Sequence, residues 1–215
     1  MDLIYLLTYK LIAVTIRLIL RFNGGLDTKG TDNVPSEGGV IIASNHISYL
    51  DPPLLGSVLP RLATFMARKG LFDVPVLGRM ITRAAFPIDR EKPRPSTIKN
   101  AVRRLKKGAL IVMFPEGRRN ETGQLLEARR GVGMIATMSN VPIVPALIIG
   151  TDKALPVNAK WLKRNKISVI FGKPIYHKSF TESTDSPSHI KHDKISDNVM
   201  SAIKELQKKY ADTNQ

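Results

Sequence analysis

In Asn45-His46-Ile47-Ser48-Tyr49-Leu50-Asp51-Pro52-Pro53 an imidazole stands five residues ahead of a carboxylate, directly after the apolar run Val40-Ile41-Ile42-Ala43. A histidine at the carboxyl end of a buried strand lies where open α/β sheets place their ligands. Pro52 disfavours α geometry at the residue before it, so Asp51 is predicted to be the N-cap of a helix whose first residue is Pro52. The loop from His46 to Asp51 is short enough to fold the carboxylate back onto the imidazole Nδ1. That contact would fix the tautomer that leaves Nε2 as a base, and would stabilise the imidazolium formed on proton uptake. The plainer alternative is a loop histidine with its hydrogen bonds met, beside an ordinary helix cap.

Val112-Met113-Phe114-Pro115-Glu116-Gly117-Arg118-Arg119-Asn120 places a Pro-Glu-Gly turn and two arginines at the end of a second apolar run. An arginine there can hold a phosphate through paired N–H donors, and Gly117 is expected to let the backbone approach a ligand closely. A surface turn with its arginines in water is the alternative. Phe86-Pro87-Ile88-Asp89-Arg90 puts a further arginine after a third run, and Val141-Pro142-Ile143-Val144-Pro145 leads into a fourth.

These residues need a scaffold, and the apolar pattern supplies one. Strands are expected over residues 40–43, 62–67, 84–88, 109–114, 143–149 and 167–171. Helices are expected over 53–59, 74–82, 95–107, 131–139 and 190–210, several opened by Pro or closed by Gly. Continuous apolar strands separated by helices indicate a single α/β domain with a mainly parallel central sheet flanked by helices. The expected organisation is an amphipathic membrane-associating helix at 1–22, a turn-rich connector at 23–39, the α/β domain at 40–180, and a loop and helix at 181–215.

The chain has 215 residues, 43% hydrophobic and 24% charged, a globular composition that excludes a disordered or fibrous protein. Lys and Arg number 33 against 18 Asp and Glu, a net charge of +15. Such an excess calls for an anionic partner: phosphate groups, nucleic acid or an acidic membrane surface. No helix-turn-helix or RNA-binding aromatic signature is present and aromatics are only 6%, so nucleic acid is not expected. The absence of cysteine excludes a disulfide scaffold, a thiolate nucleophile and Cys-based zinc or iron–sulfur sites, and it fits a reducing compartment.

Residues 3–22 are mostly apolar, and as a helix they would cover about 30 Å. Lys10, Arg17 and Arg21 interrupt them at steps of 7 and 11 residues. At 100° per residue those steps return to within about 20° of the start, so the three share one helix edge. An apolar helix with a cationic edge suits the headgroup plane, where Lys and Arg reach lipid phosphates. The alternative is a helix packed on the domain with that edge in water. Trp161, close to Lys160 and Lys163, is either an interfacial anchor or an ordinary half-buried Trp. The basic stretches 88–108 and 160–173 can meet lipid headgroups or coenzyme A phosphates, or form solvated faces.

Taken together, the four blocks resemble the glycerolipid acyltransferase family typified by lysophosphatidic acid (1-acylglycerol-3-phosphate) acyltransferase. They occur in order: Asn45-His46 with Asp51, the block ending in Arg90, Phe114-Pro115-Glu116-Gly117 with Arg119, and Val141 to Pro145. Met66-Ala67-Arg68, Leu71-Phe72, Pro75, Leu77-Gly78 and Gly131 also match, so the resemblance covers roughly residues 35 to 175. It implies that His46 is the general base and Asp51 its orienting partner. It further implies that Arg90, Glu116, Gly117 and Arg119 form a glycerol-phosphate site, that Asn45 and Arg68 belong to the substrate-binding set, and that Val141 to Pro145 shapes the acyl-donor side. Three positions depart from the family pattern: Arg118 replaces a small hydroxyl residue, Asn120 a frequent Ser, and Arg68 a frequent Lys.

The implied reaction moves a fatty acyl group from acyl-CoA or acyl-carrier protein to the free hydroxyl of 1-acyl-sn-glycerol-3-phosphate, giving phosphatidate. A thioester is already activated, so neither metal, other cofactor nor covalent enzyme intermediate is expected. The reaction needs a base, a phosphate clamp, donors for the developing oxyanion and an apolar groove. Backbone N–H groups near His46 are the expected oxyanion donors. The expected partners are lysophosphatidate, an acyl thioester, an anionic membrane surface and acyl-carrier protein. The expected location is the cytoplasmic face, as a peripheral or monotopic protein. A glycerol-3-phosphate or other lysophospholipid acyltransferase is the nearest alternative, and a non-enzymatic basic membrane-binding protein is the alternative from another class.

Overall fold

The apolar runs assemble into one seven-stranded sheet in a computed structural model that describes residues 3–75, 77–89, 94–120, 124–176 and 188–213. The strands are β1 (Leu26–Lys29), β2 (Val40–Ser44), β3 (Ala63–Arg68), β4 (Ala85–Ile88), β5 (Leu110–Met113), β6 (Ile143–Ile149) and β7 (Ile167–Phe171). The α-helices are α1 (Leu3–Phe22), α2 (Asp51–Val58), α3 (Leu77–Ile81), α4 (Pro95–Lys106), α5 (Gly131–Ser139), α6 (Thr151–Ala154) and α7 (Ser188–Thr213).

Strand order is β1-β7-β6-β2-β5-β3-β4. Every neighbouring pair is parallel except β6 with β7, so the β7–β1 edge runs against the rest. β1 was not expected: Leu26-Asp27-Thr28-Lys29 carries no apolar run, and the connector reading of 23–39 misses it. Its place comes from backbone pairing with β7, in register from Leu26 with Ile167 to Lys29 with Ile170. The four-residue α6 was missed as well.

Period-two alternation divides β2 between two cores. Val40 and Ile42 pack with Leu54, Leu55 and Val58 of α2 and with Leu20 of α1. Ile41 and Ala43 pack on the other face with α4, α5 and α7, through Leu105, Ile135 and Ile203. α2 therefore leaves β2 onto one face of the sheet and α5 follows β5 onto the other. Two adjacent parallel strands whose connections depart to opposite faces form a topological switch point, which opens a crevice at their carboxyl ends. His46 and Glu116 follow those two strands.

α1 rests on α2 through one face only: Leu20 is buried, and the Tyr9 hydroxyl donates to Gly56 O at 2.8 Å. Its opposite face is left open, with Ile4 71%, Leu11 68% and Phe22 82% exposed. Among the described residues this is the one helix long and apolar enough to cross a membrane.

Candidate active site

β2 ends at Ser44, and the chain then turns over Asn45. That side chain acts as an extra rung of the ladder with β6: Nδ2 donates to Ile148 O at 2.9 Å, and Oδ1 accepts from Ile148 N at 2.7 Å. Asn45 is thereby fixed to β6, with both ends of its amide engaged by the backbone, and the residue after it is aimed from a rigid edge.

His46 Nδ1 lies 2.8 Å from Asp51 Oδ2. The same oxygen accepts from Ile47 N at 2.7 Å and Ser48 N at 2.8 Å, and Oδ1 accepts from Thr151 Oγ1 at 2.6 Å. Asp51 is fully buried and His46 is 6% exposed. A buried carboxylate with four such partners is fixed in place and holds the ring in one orientation. The contact with Asp51 engages Nδ1 and turns Nε2 away from the carboxylate, and Nε2 has no hydrogen-bond partner among the described residues. Phe114 stacks on the imidazole at 4.1 Å between centroids and 19° between planes, closing one face of the ring.

The N-cap expectation for Asp51 is corrected by these contacts. Leu50 occupies the cap position, and Asp51 is the first helical residue. Its carboxylate points back into the loop because two loop N–H groups, an imidazole and a hydroxyl outbid the donors of the helix it begins. Three of the backbone N–H groups near His46, expected as oxyanion donors, already have partners in the protein. The N–H groups of Ile47 and Ser48 serve Asp51, and His46 N donates to Glu116 Oε1 at 3.1 Å.

Glu116 is buried, and both its oxygens serve protein N–H donors. Oε2 accepts from Asn120 Nδ2 at 3.0 Å and from Leu126 N at 3.1 Å. Asn120 returns the link, its backbone N donating to His46 O at 2.7 Å, while its side chain also reaches Gln124 O. The loops after β2 and β5 are thus clamped from both sides, and Glu116 acts as a brace for His46. Gly117 adopts φ +72°, and a Cβ there would stand 2.5 Å from Arg129 Cδ and Nε. What approaches this turn closely is an arginine of the chain itself, with Arg129 N also donating to Pro115 O at 2.9 Å.

Arg119 joins the same cluster from above. Its guanidinium carbon lies 4.0 Å from the ring centroid of Tyr49, a residue of the His46–Asp51 loop. Arg118 beside it is exposed. Arg68 is exposed at the carboxyl end of β3, two strands away from β2. Arg90 lies outside the described residues. Sequence reasoning passed over Thr151, Tyr49, Phe114 as a stacking partner, and Arg129. For Thr151 no local signal existed, since it meets Asp51 across 100 residues.

A family model described as Acyltransferase matches residues 25–149. A 1-acyl-sn-glycerol-3-phosphate acyltransferase of Bacillus subtilis is 34% identical over 204 residues, covering 94% of this chain and 98% of the relative.

The chain belongs to the acyltransferase family.

A chloroplastic 1-acyl-sn-glycerol-3-phosphate acyltransferase, BAT2 of Brassica napus, is 36% identical over 155 residues, 70% of this chain and 45% of that protein. The chain thus spans under half the length of this plant relative and nearly all of the Bacillus one. The crystal structure of the 1-acyl-sn-glycerophosphate acyltransferase PlsC from Thermotoga maritima shares the fold, with a TM-score of 0.72 over 92% of this chain and 79% of that chain, at 22% identity. The acyltransferase match contains His46, Asp51, Glu116 and Arg119, and stops two residues short of Thr151.

Proposed function

We propose that the protein transfers a fatty acyl group from an acyl thioester, carried by coenzyme A or acyl-carrier protein, to the free hydroxyl of 1-acyl-sn-glycerol-3-phosphate. One observation carries the reading: an imidazole braced by a buried carboxylate stands at a sheet switch point, in the same loop cluster as Arg119. Sequence relatives that bear this activity in their names support it.

In this mechanism Nε2 of His46 accepts the hydroxyl proton as the alcohol oxygen attacks the thioester carbonyl. The tetrahedral intermediate collapses, the carbon–sulfur bond breaks, and the proton passes from Nε2 to the departing thiolate. Asp51 stabilises the imidazolium formed between the two transfers. Arg119 orients the acceptor through its phosphate, which places the hydroxyl at the base. A cavity of about 700 Å³ beside Met113, with Met66, Ile98, Met134 and Ile135 on its apolar wall and Arg129, Arg130, Asp193 and Asp197 among its other lining residues, offers space for the acyl chain. No cofactor enters this scheme, because the thioester brings its own activation.

The protein works at a membrane, on this reading, as a monotopic or peripheral enzyme. The outward apolar face of α1 supports it, and so does Trp161, which is 83% exposed rather than half-buried. Trp161 sits near the end of α1, where Asn23 Nδ2 donates to Lys163 O at 2.8 Å. A cysteine-free chain suits the cytoplasmic face. An acceptor panel at fixed acyl-CoA tests the substrate assignment. Lysophosphatidate should be acylated at least about tenfold faster than lysophosphatidylcholine, which lacks the phosphate monoester. A glycerol-3-phosphate rate above the lysophosphatidate rate would overturn the acceptor assignment.

A further inference from the structure

The cationic edge of α1 borders a cavity of about 1030 Å³. Lys10 and Arg17 line it from α1; Arg61, Arg104 and Lys107 line it from the domain, and among the described residues no acid lines it. Its apolar wall includes Leu6, Ala13, Leu59, Leu62 and Leu110. The cavity opens at the amino ends of β3 and β5, whereas His46 and Glu116 follow the carboxyl ends of β2 and β5. The stretch from Leu110 to Phe114 alone separates the two places by roughly 13 Å at strand rise.

These cations are poorly matched by the protein itself. Among the described residues, Lys10, Arg17, Arg104 and Lys107 have no carboxylate partner. Arg104 leans on the amide of Asn100, at 3.4 Å from Oδ1. Arg61 is held in place by two backbone carbonyls, Gly108 O at 3.0 Å and Gly38 O at 2.6 Å. Its Nε is buried without a hydrogen-bond partner. Burial pushes the Arg61 guanidinium below its ordinary pKa, and Glu37 is the acid that opposes this. An anion among the five would meet four charges without a countercharge.

The helix geometry adds an apolar requirement. At 100° per residue, Lys10 and Arg17 lie about 90° round α1 from the packed Tyr9, and Leu18 lies roughly a further 90° round, on the outward apolar face. The cationic edge is therefore the seam between domain and exposed apolar surface. A ligand seated there carries its negative charge beside hydrocarbon.

We propose that this groove is a second lipid site, separate from the active site. It holds the phosphate of an anionic membrane phospholipid among Lys10, Arg17, Arg61, Arg104 and Lys107, while the acyl chains lie along α1. The proposal rests on the membrane reading above, and it adds that anionic lipid is bound at a defined place rather than by diffuse charge.

Sedimentation of the full chain with phosphatidylcholine vesicles, with and without phosphatidylglycerol, tests it. The double variant Arg104→Gln/Lys107→Gln should bind phosphatidylglycerol vesicles about 10- to 30-fold more weakly than wild type. It should bind pure phosphatidylcholine unchanged and keep its turnover on detergent-dispersed substrates. Lys204→Gln/Lys208→Gln on α7 removes the same charge elsewhere and should behave as wild type. Equal losses in both doubles, or no loss in the first, would overturn the site. Wild-type binding that ignores phosphatidylglycerol would overturn the site alone. Wild-type protein that binds neither vesicle would overturn the membrane reading with it.

Discussion

The two ends of the sheet handle their charges in opposite ways. At the carboxyl end, Asp51 and Glu116 are buried, and every carboxylate oxygen meets protein donors, from Ile47, Ser48, Thr151, Asn120, Leu126 and the His46 ring and backbone. At the amino end, five cations and, among the described residues, no acid line a groove, and α1 turns leucines outward. A charge whose partners are all internal is fixed in position, which is what a base needs if its geometry is to survive many turnovers. Charges and apolar surface left without internal partners are suited to partners that arrive from outside. Rigidity and receptiveness are thus divided between opposite ends of the same strands.

Breaking the rigid end should cost most. Asp51→Asn keeps the volume but sets an amide against the imidazole and favours the wrong tautomer; turnover should fall on the order of 10⁴, as when the orienting carboxylate of a Ser-His-Asp triad is neutralised. Thermal melts beside the rate assay should show about 1–3 kcal/mol of lost stability from unpaired buried donors. An active, equally stable variant would remove Asp51 from its place at the centre of the network. Glu116→Gln must turn an NH₂ group towards at least one protein donor. A melt should register about 1–3 kcal/mol, and turnover should drop roughly 10²-fold as His46 shifts. If Glu116 instead served only the phosphate, the acceptor KM would move and the melt would not.

Effects on the substrate clamp come next. Arg119→Ala should raise the KM for lysophosphatidate about 10- to 100-fold and leave the acyl-CoA KM near wild type, whereas Arg118→Ala should change both little. Equal rises for donor and acceptor would contradict a phosphate clamp. The smallest effect on chemistry belongs to the receptive end. Leu11→Glu with Leu18→Glu leaves the packed face of α1 intact. It should move the protein from membrane to soluble fractions in sedimentation while detergent turnover stays near wild type. Unchanged partition would deny the outward face its lipid contact.

The central strands were legible in the sequence because fully buried strands read as unbroken apolar runs. Residues 143–149 and 167–171 match β6 and β7, and the five helices expected between and after the strands all form within a few residues. β1 was not legible, since its four residues are held by backbone pairing and not by apolar content. The antiparallel turn of β7 on β6 depends on a connection whose direction no local pattern states. At the site, the spacing of His46 and Asp51 suggested the dyad, because loop length limits where a carboxylate can reach. Asp51 was nevertheless misplaced as a cap, because its competing donors come from the loop and from Thr151, far along the chain. Gly117 was marked by its residue type, yet the group it admits, Arg129, could be known only once α5 was in place.

Purified protein in detergent, given acyl-CoA and lysophosphatidate, tests the central claim most directly when coenzyme A release and lipid product are measured together for wild type and His46→Ala. The account predicts release only when both substrates are present, phosphatidate formed in equal amount, and a loss of at least about 10²-fold in the variant with its circular dichroism unchanged. Comparable turnover by a folded His46→Ala protein would contradict it.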